Sequence, residues 1–342
     1  MRFDFTSEQT DLQAAVARLF NAEATSAILR SLWEDQVGRN PRLWQGLAGI
    51  GIPAILIPEE YDGMGGDETD LILVLEDVGR YCVPDAILES CVLVPTALAL
   101  SDSDELRRRW LPAIASGDVR GTLALADTHY VPDVHVSDLI ILERDGEFVL
   151  YEPHELETVP VVSVDRSVRL FEVAPHAGAG TRLGDAERIG SSLRARRDAG
   201  SAAILNGLAA AMIAKTVEYV KVREQFGRSI GSFQAVKHQL AQAESRNALA
   251  RQAARSALLE IARVGPQAAD AAVLAKICAT EAEFESNRVA LQLHGGIGFT
   301  WEYDLQFWLK RGKTLEQSHG TYTSALSVAG WTGISGTTHA AV

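Results

Sequence analysis

Tyr219-Val-Lys-Val-Arg-Glu-Gln-Phe-Gly-Arg-Ser-Ile-Gly-Ser-Phe-Gln234 lies where two long helical patterns meet. An Ala/Leu/Arg/Glu-rich pattern of helical period runs into it over about 190–224, and another leaves it over about 235–264. Gly227–Ser232 breaks the two apart. Further helical stretches over 266–293 and 303–329 are set off by Gly265-Pro266 and Gly295–Gly298. A helix of about 30 residues is about 45 Å long, so rods of this length pack against rods of comparable length. The expectation is a four-helix bundle over 189–335, followed by a short tail, 336–342. Small residues along one rod (Ala203, Gly207, Ala210, Ala214) allow helices to approach closely.

Outward from the bundle the texture changes. Thr122–Ala126, Asp138–Leu142, Glu147–Tyr151, Thr158–Ser163 and Val168–Val173 are short β-rich runs between Asp-Gly, Pro and Asp turns. Asp145-Gly146 between two apolar runs signals a hairpin. Pro175–Gly184 reads as a loop. This β region, 120–188, is small for an independent domain. Before it, 1–119 reads as helices. Thr6 with Gln9 forms a capping-box pattern, Pro41 opens a helix that Gly51 closes, and further helices are expected over 67–81, 85–100 and 103–116. The fold class is α+β, mostly α.

The chain has 342 residues, 47% hydrophobic and 23% charged, which excludes disordered, collagen-like and low-complexity classes. Its formal net charge of −13 repels phosphate backbones and anionic lipid, so neither nucleic acid nor a membrane surface is expected as a partner. Three scattered cysteines, Cys82, Cys91 and Cys278, suit neither a disulfide scaffold nor a metal cluster. No apolar run reads as a membrane span, the longest lying around Ile204–Ala214, and no signal peptide is read at the start. A cytoplasmic location is the expectation.

Four stretches, in register from end to end, resemble the acyl-CoA dehydrogenase family of flavoproteins. Trp44-Gln-Gly-Leu-Ala-Gly-Ile-Gly51 with Ile57-Pro-Glu-Glu-Tyr-Asp-Gly-Met-Gly-Gly66 is similar to the family's W..L...G....PEEYGG.G segment, and Glu76-Asp-Val-Gly-Arg80 fits the helix after it. Tyr219–Gln234 is similar to Y...R.QFG.PI..FQ, and Gln292-Leu-His-Gly-Gly-Ile-Gly-Phe-Thr300 to Q..GG.G(F/Y)T. In that family the counterparts of Arg223 and of the Q..GG loop reach across a dimer interface to the neighbouring subunit's FAD. The resemblance therefore implies FAD, with Arg223, Phe226, Gln234, Gln292, Gly295 and Gly296 as cofactor-binding residues. The residue types agree. A guanidinium offers a fixed fork to a phosphate, a phenyl ring a flat apolar surface, and glycines let a pyrophosphate or adenine approach the backbone. The competing reading of Arg223 is a surface ion pair with Glu218 or Glu224, and that of Gly295 and Gly296 a helix stop.

The departures from the family are as informative. Where its members carry a (T/S)EP..GSD loop that grips the flavin ring, this chain reads Ala124-Leu-Ala-Asp-Thr-His-Tyr-Val-Pro-Asp133, and no W(I/V)TN strand follows. Thr128 is read as a loop residue. The family's catalytic carboxylate removes the α-proton of an acyl thioester while hydride leaves for the flavin. Counted from Gly296, its position falls on His319 of His319-Gly-Thr321, and the alternative position falls near Arg197, so no catalytic carboxylate is assigned. Asp198, about 100° further round the helix, is expected to point away. Arg194, Arg196, Arg197 and Asp198 read as a solvated helix start, and Glu302 as structural.

What is missing serves a subunit's own flavin ring and substrate; what remains serves its neighbour's flavin. The resemblance thus implies a catalytically incomplete subunit that shares FAD with a complete acyl-CoA dehydrogenase subunit, which binds most of the acyl-CoA. Ser232-Phe-Gln-Ala-Val-Lys-His-Gln-Leu-Ala241 resembles the branch that works in actinobacterial steroid side-chain β-oxidation as α2β2 heterotetramers. Two alternatives stand beside it: a self-sufficient flavoenzyme, either a dehydrogenase using His319 or a monooxygenase, and a scaffold subunit without flavin.

Overall fold

The computed structural model describes residues 4–318. Six helices come first: α1 (Ser7–Glu23), α2 (Ser26–Glu34), α3 (Pro41–Ile50), α4 (Glu68–Arg80), α5 (Val94–Ala99) and α6 (Asp104–Ala115). Their ends follow local chemistry. The Thr6 hydroxyl accepts from the Gln9 amide while the Gln9 side chain accepts from the Thr6 amide, Pro41 opens α3, and Gly51 closes it at φ 92°. The expected helix over 85–100 contains a π-helical turn, Glu89–Leu93, before α5.

Seven strands follow: β1 (Gly121–Ala124), β2 (Val131–Pro132), β3 (Leu139–Arg144), β4 (Glu147–Tyr151), β5 (Leu156–Val161), β6 (Leu170–Pro175) and β7 (Thr181–Arg182). They form two small sheets of order β1-β3-β4-β7 and β2-β6-β5. β1 and β3 run parallel, with Leu123 beside Ile141, and the other pairs are antiparallel. Asp145 and Gly146 turn the β3–β4 hairpin with φ of 52° and 75°, as two-residue hairpins require. β7 lies inside the stretch that the sequence reads as a loop.

The bundle comprises α7 (Ala186–Val222), α8 (Gln234–Ala262), α9 (Ala268–His294) and α10 (Leu305–Ser318), with a two-residue hairpin, β8 (Glu224–Gln225) and β9 (Arg228–Ser229), between α7 and α8. The fold is α+β and mostly helical. α7 is its axis, and carries Leu193, Ala199, Ala202, Leu205, Leu208 and Met212 into the core. By length and composition α7 could cross a membrane, contrary to the sequence reading. However, 78% of its most apolar stretch is buried inside the fold, so packing accounts for that apolarity.

Close helix approach occurs at Gly207, one of the four small residues expected to allow it, but not at the end of that stripe. Ala214 is exposed and Ala210 half-buried. The close crossing is between α4 and α7, where a Cβ on Gly79 would sit 1.9 Å from the Ile204 carbonyl and one on Gly207 1.8 Å from the Glu76 carbonyl. Backbone touches backbone there. Gly207→Ala should cost about 1–3 kcal/mol, read as a lowered denaturant midpoint. An unchanged midpoint would mean that the crossing has slack.

Candidate functional site

The N-terminal end of α8 and the C-terminal ends of α7 and α9 meet at one end of the bundle. α7 stops as Arg223 leaves helical geometry (φ −74°, ψ 122°), its amide still donating to the Tyr219 carbonyl at 2.9 Å. The chain then reverses through Phe226 (φ 54°) and Gly227 (φ 76°), and Gln234 opens α8. Arg223 is exposed and forms no ion pair among the described residues; Glu218 pairs instead with Lys221 at 2.7 Å. The competing surface-pair reading of Arg223 therefore has no support. The Phe226 ring is 93% exposed, with only Phe233 edge-on at 6.3 Å.

Across from this turn, Gln292 lies exposed in the last turn of α9, and Gly295 adopts φ 61°, ψ −146°, open essentially to glycine alone. A Cβ built on Gly295, Gly296 or Gly227 meets nothing within 4 Å. Gly296 has neither a left-handed φ nor a crowded neighbour, so nothing among the described residues requires glycine there. These residues form a cradle facing outward, and it suits a dinucleotide: an unpaired guanidinium, an unsatisfied flat ring and open backbone. The loop Ala126–Val131, at the place of the family's ring-gripping loop, edges an open groove that Glu143, Arg144 and Glu172 also line, and Glu143 accepts three hydrogen bonds from Arg194 at 2.8–3.0 Å.

Deeper in, where the first β loop meets α7, an apolar cavity of about 60 Å³ is walled by Leu88, Leu123, Leu125, Ile204 and Leu315. That volume suits a few waters and is far too small for an acyl thioester. Arg197 closes it. Its guanidinium is 5% exposed, bonded to Asp127 at 2.6 Å and to Asp198 at 3.0 Å. Burial works against its charge, but Asp198 and Asp127 outweigh that and hold its pKa above the ordinary arginine value. Asp198 does not line the cavity, although its carboxylate reaches back to Arg197. One sequence expectation is corrected: the four charges at 194–198 are not a solvated helix start. Arg194 and Arg196 are instead committed to Glu143 and Glu68. The partners lie on other elements, so the charge run alone concealed them. Thr128 lines the cavity from its loop, and His319 lies outside the described residues.

Further buried ion pairs stitch the cavity walls together. Arg39 is bonded twice to Asp133, Arg120 to Asp85 at 3.0 Å, and Arg311 to Asp165 at 2.6 Å and to Ser167 at 2.8 Å. Asp133 also accepts from the Ala86 amide at 3.1 Å. None of these groups was singled out from the sequence, because the pairings span up to 146 positions. Tyr219 and His294 lie inside the quoted motifs, yet carried no assigned role. In the fold their rings stack at 4.3 Å.

Fold and motifs together define an acyl-CoA dehydrogenase, and the chain belongs to that family. Its residues 6–118 match the model of the acyl-CoA dehydrogenase N-terminal domain and 191–328 that of the C-terminal domain. Acyl-CoA dehydrogenase IpdE2 of Mycolicibacterium smegmatis is 32% identical over 312 residues, covering 90% of this chain and 92% of that protein. IpdE2 of Mycobacterium tuberculosis is likewise 32% identical, over 89% of this chain and 90% of that one. Among solved structures, the Tcur3481-Tcur3483 steroid ACAD G363A variant superposes with a TM-score of 0.87 at 25% identity, over 94% of this chain and 96% of that one. The ChsE4-ChsE5 complex of Mycobacterium tuberculosis also gives 0.87, at 24% identity, over 96% and 98%, which speaks to the fold alone.

Proposed function

We propose that this chain is the catalytically incomplete subunit of a heteromeric, FAD-dependent acyl-CoA dehydrogenase. The observation that carries this reading is a pairing: an outward cradle in which Arg223 and Phe226 stand exposed and Gly296 is unconstrained by any described residue, beside an inner cavity too small for an acyl thioester. A subunit serving its own substrate needs the reverse. Arg223, Phe226, Gln234, Gln292, Gly295 and Gly296 would hold the adenine-dinucleotide portion of a flavin whose ring lies in the partner. Bound FAD supplies the hydride acceptor for α,β-dehydrogenation of an acyl-CoA.

This chain's own share is positional. Arg223 presents two parallel N–H donors to a phosphate, the glycine turn lets the dinucleotide close on the backbone, and Phe226 shields it from water. The partner, a complete acyl-CoA dehydrogenase subunit in an α2β2 assembly, would supply the catalytic carboxylate and most acyl-CoA contacts. The name of the steroid ACAD variant, together with the likeness at 232–241, supports a steroid-CoA side chain as substrate class.

Visible absorbance tests the proposal. Purified alone the chain should be colourless; co-expressed with its complete partner it should yield a yellow complex with about one FAD per unlike pair. A chain that is yellow by itself would overturn the shared site in favour of a self-sufficient enzyme and bring His319 forward as a working residue. No flavin in either preparation would leave a scaffold role.

A further inference from the structure

The two turns of the cradle come from motifs about 70 residues apart in the chain, and three aromatic side chains connect them. Tyr219 sits one helical turn before Arg223, whose amide donates to its carbonyl at 2.9 Å. His294 is the last residue of α9, immediately before Gly295. Their rings stack at 4.3 Å with 23° between planes, and the Tyr219 hydroxyl reaches the His294 carbonyl at 3.5 Å. At the ring edge Tyr303, in the turn leading to α10, meets the same imidazole, its hydroxyl 3.0 Å from Nε2.

The hydrogen bonds fix how this cluster works. His294 is only 4% exposed, and its Nδ1 lies 2.8 Å from the Ala290 carbonyl, an acceptor, so Nδ1 carries the proton. Nε2 is then the acceptor, and the Tyr303 hydroxyl donates to it. Burial depresses the imidazole pKa, more than the Ala290 carbonyl raises it, in keeping with a neutral ring. No carboxylate among the described residues forms an ion pair with it. The ring is thus held on both nitrogens and on one face, at the one residue from which the glycine turn departs.

We propose that Tyr219, His294 and Tyr303 form a positioning clamp that holds the Arg223 turn and the Gly295–Gly296 turn at a fixed separation, so that together they present one flavin-receiving edge. The proposal rests on the shared-flavin reading above. None of the three touches the cofactor; each acts through the backbone it restrains. The clamp answers a physical need, since both turns are exposed, contain glycine and would otherwise fluctuate independently. Ordering them on binding would then weaken affinity.

Two variants test it: Tyr303→Phe, which keeps the ring and removes one hydrogen bond, and His294→Phe, which keeps the stack and removes both. In the chain alone, hydrogen exchange of the amides at 295–300 should accelerate roughly tenfold, the worth of one net hydrogen bond, while exchange in the cores of α7 and α9 stays as in the wild type. In the complex with the partner subunit, flavin should be released roughly tenfold faster from each variant. Unchanged exchange at 295–300 in both variants would overturn the clamp. So would faster exchange that spreads equally through α7 and α9, since the cluster would then be ordinary core packing. Arg223→Ala separates the two levels: if it strips flavin while the clamp variants do not, the clamp fails alone. If it leaves flavin in place, the shared-site reading fails, and the exchange result still decides whether the clamp orders the turns. Should His294→Phe not fold, Tyr303→Phe carries the test.

Discussion

Arg223→Ala is expected to lower flavin retention by the proposed complex roughly ten- to a hundredfold, with no change in the thermal unfolding of this chain. The size follows from the worth of hydrogen bonds to a charged group, about 1.5–3 kcal/mol. The absence of a folding effect follows from the site. The Arg223 side chain is exposed and forms no ion pair among the described residues, and its one hydrogen bond to Tyr219 is made by the backbone. Arg223→Lys should recover part of the affinity, because an ammonium keeps the charge but loses the two-pronged geometry. The ratio of flavin to protein absorbance after dialysis reads the result. An unchanged ratio in Arg223→Ala would remove this residue from the cofactor site.

The largest stability effect is expected at Arg311. This guanidinium, 4% exposed, donates to Asp165, to the Ser167 hydroxyl and to the Val83 carbonyl, joining α10 to the segment before β6 and to the turn after α4. Asp165 is fully buried. Arg311→Met would leave that carboxylate inside the protein facing only Ser167, at a cost of about 3–5 kcal/mol. Adding Asp165→Leu should restore much of the loss, because an apolar pair of similar volume can replace a buried ion pair. By contrast, Arg166→Ala breaks a solvent-facing pair with Glu34 (3.4 Å) and should cost less than about 1 kcal/mol. Urea midpoints of the three variants and the wild type check the ranking. Near-equality of Arg311→Met and Arg166→Ala would show that the buried network is unimportant to folding.

Much of the architecture is legible wherever a local signal fixes the backbone. Thr6 with Gln9, Pro41 with Gly51 and Asp145-Gly146 each set their element end within a residue or two, because the interactions span at most four positions. The positions of the cradle are equally legible, as a spacing of residue types. What the sequence hides is long-range pairing. Arg196 and Arg197 look like solvated charges until Glu68 and Asp127 arrive from 128 and 70 positions away. Gly207 is legible as a small residue that allows close approach, but Gly79, opposite it on α4, is not. Tyr219 and His294 are 75 residues apart, so neither motif by itself indicates that the other is stacked on it.

The Arg197 cluster beside the inner cavity also bears on how this chain could change. Restoring a carboxylate at the alternative base position by Arg197→Glu would not create a catalyst. It would remove the cation that pairs with Asp127 and Asp198 among the described residues and put a third acid beside them. Asp198 is largely buried, so a carboxyl at 197 would compete with it for ionisation, and a proton retained there is one a base must be free to accept. Under the incomplete-subunit reading proposed above, a return to an independent enzyme would require Asp127 or Asp198 to change together with Arg197, so the cluster sets a two-substitution barrier to regaining a base there.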